Sequence, residues 1–190
     1  MRRLDNTSAD ILLIRLIVSL AIIAAIFFMV SFGYNFFEIV FSENQVETEC
    51  NIIQSKIYTM LSGGVPRDLD EVNAAEGTKR CITFDLPDNL VYLSFGVDPD
   101  PDNDGYLKTG LTTDGAVIFY RINGGSKKVI WLDEKFKFRE GKYDSGKWII
   151  NGNGQGYIIT SAGTKTLNFE LVEKNHENYV LIQADDGIKP

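Results

Sequence analysis

The segment DPDPDNDG, residues 98–105, sets Asp100, Asp102 and Asp104 at alternate positions and follows them with Gly105. Side-chain oxygens at every second residue before a turn-permitting glycine are how the first half of an oxygen-ligand calcium loop is written. Tyr106 would add a backbone carbonyl. The bidentate acid that closes an EF-hand is absent, Leu111 standing at that spacing, so Asp114 of TTDG is the candidate to close the site from a neighbouring turn. The competing reading is a solvated hairpin connection, stiffened by Pro99 and Pro101 and capped by its own aspartates. The choice depends on compartment, because weak calcium sites fill outside the cell.

Little else in the chain is arranged for chemistry. The one histidine, His176, lies in the turn NHEN with no cysteine or acid at ligand spacing. The glycines of GNGQG, residues 152–156, sit between two strand-like runs rather than before a helix, so the oriented amides of a phosphate loop are missing. No nucleophile-elbow pattern occurs, and an enzyme is not expected. The formal charge of -7 and the lack of a Lys/Arg stripe interleaved with aromatics exclude nucleic acid as a partner.

The placement of these residues is set by a strongly uneven distribution of apolar side chains. Residues 11–32, ILLIRLIVSLAIIAAIFFMVSF, hold the single charge Arg15, which is long and apolar enough for a bilayer-spanning helix. The run exceeds a signal-peptide core and is followed by the bulky SFGYNFFEIVFSE, without a small-residue cleavage site, so a retained anchor is expected. Arg2, Arg3 and Arg15 precede it and Glu38, Glu43, Glu47 and Glu49 follow it, which puts the N-terminus in the cytoplasm and the rest outside. In that position Arg15 serves as an anchor whose guanidinium reaches the headgroups.

Beyond residue 42 the apolar residues thin to Val46, Cys50, Ile53, Ile57, Met60 and Leu61, at steps of three and four. No proline interrupts residues 10–62, and Gly63-Gly64-Val65-Pro66 is the first strong stop. One helix of about fifty residues is expected, lipid-facing over 10–41 and amphipathic over 42–62, with Val46, Ile53, Ile57 and Leu61 packed on a folded domain. Gly33 is its one weak point. Residues 63–80 read as a polar connection. From Cys81 onward short β-branched and aromatic runs alternate with turn residues, giving seven to nine strands of an antiparallel β domain over 81–190. The fold class is therefore α+β, a long helix on either one covered sheet or a sandwich. Lys135, Lys137 and Arg139 alternate with Phe136 and Phe138 as the wet and dry faces of one strand. Cys50 and Cys81, in the oxidising exterior, are expected to pair, closing a loop of about thirty residues worth about 3–4 kcal/mol.

A basic start, MRRLDNTSA, an apolar helix continuing unbroken into an amphipathic half, and a β-rich exterior domain make up a plan that resembles archaeal type IV pilin-like proteins, of the minor-pilin or pseudopilin-like kind. The resemblance covers the layout of the chain, with its specific features in the first sixty or so residues. It implies that a membrane peptidase cuts the leader, residues 1–9, between Ala9 and Asp10. It also implies that the helices of many copies pack into a filament core. The family's basic-residue-plus-glycine junction and the acid a few residues into the apolar run are absent here, where Arg15 stands instead. The implied role is a cell-surface filament subunit whose partners are the membrane and related subunits. The other reading is a membrane-tethered exterior module that grips a surface layer, a glycan or a motor component and never polymerises.

Overall fold

The computed structural model describes residues 7–71, 73–108, 115–132, 135–152 and 155–184, with backbone only at 7–12, 35 and 184. The protein is α+β: among the described residues one helix, α1 (Thr7–Gly63), precedes ten strands. The helix has 57 residues and continues through Gly33 without a break. The chain divides into two compact units, Met1–Val40 and Phe41–Pro190.

In the first unit every apolar side chain from Leu13 to Phe37 whose exposure is described is accessible, among them Ile17, Leu20, Phe27 and Phe32. The most apolar window has a mean hydropathy of 2.8 and none of it is buried, so the helix is long and apolar enough to cross a membrane. The leader residues 1–6 lie outside the described part. Ala9 and Asp10 fall within the helical backbone.

The second unit begins to bury its helix at Ser42. Val46, Cys50, Ile53, Ile57 and Met60 are fully buried and Leu61 is partly so, which is the stripe that the spacing requires. Burial of each such side chain contributes about 1.5–3 kcal/mol. The helix stops where the chain must pass close to Thr78: a Cβ on Gly64 would lie 2.2 Å from the Met60 carbonyl and 2.9 Å from Thr78 Oγ1. Thr78 then holds the exit from both sides, its Oγ1 accepting from Val65 N and its own N donating to Val65 O, each at 2.9 Å.

A six-stranded sheet is built around β9 (Gly163–Lys174). One edge of β9 takes β10 (Glu177–Ala184) antiparallel. The other takes β2 (Lys79–Leu86) antiparallel along its first part and the two-residue β1 (Arg67–Asp68) parallel at its end. Beyond β10 come β6 (Lys137–Asp144), parallel to it, and β7 (Lys147–Ile150). A second, four-stranded antiparallel sheet runs in the order β5 (Lys128–Trp131), β4 (Val117–Ile122), β3 (Leu90–Phe95), β8 (Tyr157–Ile159). The expectation of an antiparallel domain thus needs correction at two places, β6–β10 and β1–β9. In both, the pairing is reached by a long excursion that turn chemistry does not reveal. β1 also lies inside the stretch taken as a plain connection.

One core joins the helix stripe to both sheets, through Ile82 and Phe169 from the first and Leu93 and Ile118 from the second. Phe95 of β3 meets Phe138 and Phe169 of the larger sheet edge-on, with ring centroids 5.5 and 5.9 Å apart. The arrangement is therefore two sheets sharing a core with the helix, rather than one covered sheet. Gly96 permits the close approach at this seam: with φ of 70°, it brings the backbone where a Cβ would sit 2.9 Å from Phe138.

Candidate functional site

The acidic loop lies over the outer face of the smaller sheet, where Tyr92, Val117 and Phe119 form a small apolar cluster with Leu107. Asp100 is only 1% exposed. Its Oδ1 accepts the amides of Asp104 at 3.0 Å and Gly105 at 3.3 Å, while Oδ2 accepts Arg121 Nη1 at 2.9 Å. Asp98 accepts Lys127 Nζ at 2.7 Å, and the same ammonium donates to the Asp100 carbonyl at 2.9 Å. Asp102 is paired with Lys108, whose hydrogen bond holds its carboxyl below the usual carboxylate range. Asp104 instead accepts Tyr106 N at 2.9 Å, and Asn103 and Gly105 take positive φ to make the bend.

Three cations thus neutralise a loop read from its own eight residues as a metal cradle. Two of them, Arg121 and Lys127, come from β4 and the turn beyond it. Among the described residues no group of three or more His, Cys, Asp or Glu side chains is placed to hold a metal ion. Asp114 lies outside those residues, and the Tyr106 side chain is 77% exposed. The one sequence signal for the ion pairs is Arg121, the lone charge in AVIFYRI. Beneath the loop the Tyr92 hydroxyl is buried and has no hydrogen-bond partner among the described residues. Burial first, then the charges of Asp98 and Asp100, push its pKa upward.

The expected Cys50–Cys81 bridge is not formed: both thiols are free, Cys50 buried and Cys81 exposed. Strand alternation supplies the reason. β2 turns Ile82, Phe84 and Leu86 into the core and leaves Cys81, Thr83 and Asp85 on the outer face, away from the helix stripe that holds Cys50. Burial, reinforced by Glu49 and Glu47, pushes the Cys50 thiol up to about 12. The expected solvated face of β6 is likewise covered in part. Arg139 is buried, its guanidinium carbon 5.6 Å from the Tyr179 ring centre and its Nη1 donating to the Phe138 carbonyl.

A second feature was not legible in the sequence. Between residues 137 and 140 β6 pairs with β10, and from Gly141 onward it pairs with β7. At Gly141 a Cβ would lie 2.9 Å from the Ile182 carbonyl and 3.2 Å from the Trp148 ring, so glycine lets the hairpin lie close on its neighbours. The hairpin turns at Ser145-Gly146, both at positive φ, and reaches the β1 edge, where Arg67 Nη2 donates to the Trp148 carbonyl at 2.7 Å.

Beneath it Glu170, 1% exposed, accepts Arg67 Nε at 2.7 Å, Arg67 Nη2 at 3.0 Å, Gln183 Nε2 at 2.7 Å and Gly77 N at 3.3 Å. The space left open is a cleft of about 380 Å³ lined by Arg67, Glu71, Lys79, Tyr143, Lys147 and Trp148, with Glu170 at its base. Arg67 was hidden in a polar connection. Glu170 shows only as an acid flanked by Phe169 and Leu171 on an outward strand position.

No protein-family model, curated protein or solved structure matches the chain.

Proposed function

We propose that the protein is a single-pass surface protein acting as a subunit of a type IV pilus-like filament, the apolar half of α1 packing among its counterparts and the β domain facing outward. The observation that carries this reading is α1 itself. One helix is apolar all round over its first part and then, without interruption, becomes a striped helix whose Val46, Ile53 and Ile57 are fully buried in a folded domain. An apolar helix surface of this extent needs lipid or other helices around it. The positive residues before the span orient the β domain to the exterior.

A tethered exterior module that does not polymerise is the second reading. It is favoured by Arg15, a cation placed in the apolar run where filament packing would desolvate it. Mass spectrometry of the native protein separates the two: a mature start at Asp10, in material recovered with surface filaments, supports the subunit, and an intact leader on membrane-bound monomers supports the tether.

Calcium binding by the acidic loop belongs to the same exterior placement. It requires Asp100 and Asp102 to exchange Arg121 and Lys108 for the ion, with Asp104, Asp114 and the Tyr106 carbonyl completing the shell. A calcium-dependent rise in melting temperature that disappears when Asp100, Asp102 and Asp104 are all changed to Asn is its test. Identical melting in calcium and in chelator refutes it.

A further inference from the structure

The cleft beside Trp148 has the makings of a ligand site that neither the helix nor the acidic loop uses. Its volume of about 380 Å³ falls within the usual range for small-molecule sites. Its charges cancel: Arg67 is matched by Glu170, and Lys79 by Glu76 at 2.9 Å, which leaves Glu71 and Lys147. Among the described residues Glu71 and Lys147 have no ion-pair partner, so the cleft offers one free acid and one free amine, a balance that favours a neutral guest.

The Arg67 fork is fixed on one side only. Nε and Nη2 are spent on Glu170 and the Trp148 carbonyl, while Nη1 has no partner among the described residues. Among the described residues the buried side-chain nitrogen and oxygen atoms without partners are Asn89 Oδ1 and Tyr92 Oη. Nη1 is not one of them, so it keeps access to solvent at the cleft that Arg67 lines. A guanidinium held rigid by a buried carboxylate presents its remaining donors without losing conformational freedom on binding.

Two aromatic rings line the same cleft. Tyr143 and Trp148 are cross-strand neighbours on the hairpin, their rings packed edge-to-face with centroids 5.6 Å apart at 65°, and Tyr143 is 43% exposed. The bond from Arg67 to the Trp148 carbonyl fixes the backbone that carries the indole. Aromatic faces with fixed donors and an acceptor at their base match a ring that has C–H groups on one face and hydroxyls around its rim. A fully apolar guest would strand the charged groups, a strongly anionic one would meet the like charge of Glu71, and a strongly cationic one that of Lys147.

We infer that this cleft binds a neutral saccharide unit, its C–H face against Trp148 and Tyr143 and its hydroxyls on Arg67 Nη1, Lys147 and Glu71. The inference rests on the exterior placement of the β domain, where glycans are met, and applies to subunit and tether alike.

The test uses the full chain in lipid nanodiscs, free of sugar-headed detergents, with Trp131→Phe so that Trp148 is the sole tryptophan. It is titrated with neutral hexose and N-acetylhexosamine oligosaccharides, and with uronic-acid oligosaccharides and lysine peptides for comparison. A saturable change in Trp148 emission is expected with a neutral sugar, weakened at least tenfold by Tyr143→Ala and by Arg67→Lys, which keeps the charge and loses the fork. Lys147→Ala, at an exposed position, gives a smaller loss in a chain whose fold is not at issue. The absence of any saturable response to the neutral sugars, tighter binding of the acidic or basic probes, or an affinity indifferent to Tyr143→Ala would each overturn the assignment. Protease protection of the β domain in sealed vesicles reads the exterior placement separately, so failure of one is not mistaken for failure of the other.

Discussion

Arg67 and Glu170 form a fork-to-fork ion pair, with Nε 2.7 Å from Oε1 and Nη2 3.0 Å from Oε2, between positions 103 residues apart. The pair ties the two-residue β1 to the middle of β9, and through the Trp148 carbonyl it also holds the β6–β7 hairpin. Both side chains are nearly sequestered, at 9% and 1% exposure, so the loss of one partner leaves the other charge buried and uncompensated.

Glu170→Ala is therefore expected to destabilise the fold by about 3–5 kcal/mol, whereas replacing Arg67 and Glu170 together by Met and Leu costs much less. Denaturant unfolding of the two variants checks the difference. Equal losses would show that the pair acts through its packing rather than its charge.

Tyr92→Phe is expected to leave stability unchanged or raise it by about 1 kcal/mol, because it removes a buried hydroxyl that has no hydrogen-bond partner among the described residues. The ring keeps its place among Val117, Phe119 and Leu107. A fall of about 1 kcal/mol or more in thermal or denaturant unfolding would mean that the hydroxyl is satisfied.

Alkaline pH should loosen the fold. The Cys50 thiol is raised from 9.0 to about 12, and Tyr92 and Tyr120 are raised from 10.0, all chiefly by burial. The folded state therefore holds these protons after the unfolded chain has released them. Their contribution is fully present below about pH 9 and is lost as pH climbs toward the folded values. Melting temperature followed from pH 8 to 11 tests this, and a curve that stays flat above pH 10 contradicts it.

The free thiols give a separate expectation. Cys81 should react with a maleimide in the native protein and Cys50 only after unfolding, and reductant should not shift the melting temperature. A melting point lowered by reductant would restore the bridge.

Neighbouring isoleucines on α1 report its packing. Ile53 is fully buried and Ile52 is 41% exposed, so Ile53→Ala should cost about 2–5 kcal/mol and Ile52→Ala under about 1 kcal/mol. Comparable effects on denaturant unfolding would mean that the helix does not lie on the domain in this register.

The helix was legible in the residues themselves because its determinants are local. The apolar run, the three-and-four spacing from Val46 to Leu61, the absence of proline and the stop at Gly63-Gly64 act within a few turns of one another. The seven to nine strands expected after Cys81 correspond to β2–β10 for the same reason, since alternation and turn residues are read a few positions at a time. The sequence by itself thus determined the α+β class, the stripe and a helix able to span a bilayer.

Tertiary structure decided which residues face each other across long separations. It set Arg121 and Lys127 against the acidic loop, sent Cys81 away from Cys50, made β6 parallel to β10, and folded Trp148 onto Arg67. These pairings depend on chain paths spanning tens of residues, and no local preference encodes them. They are chosen by the joint need to bury two sheets and a helix in one core while leaving the buried carboxylates of Asp100 and Glu170 compensated.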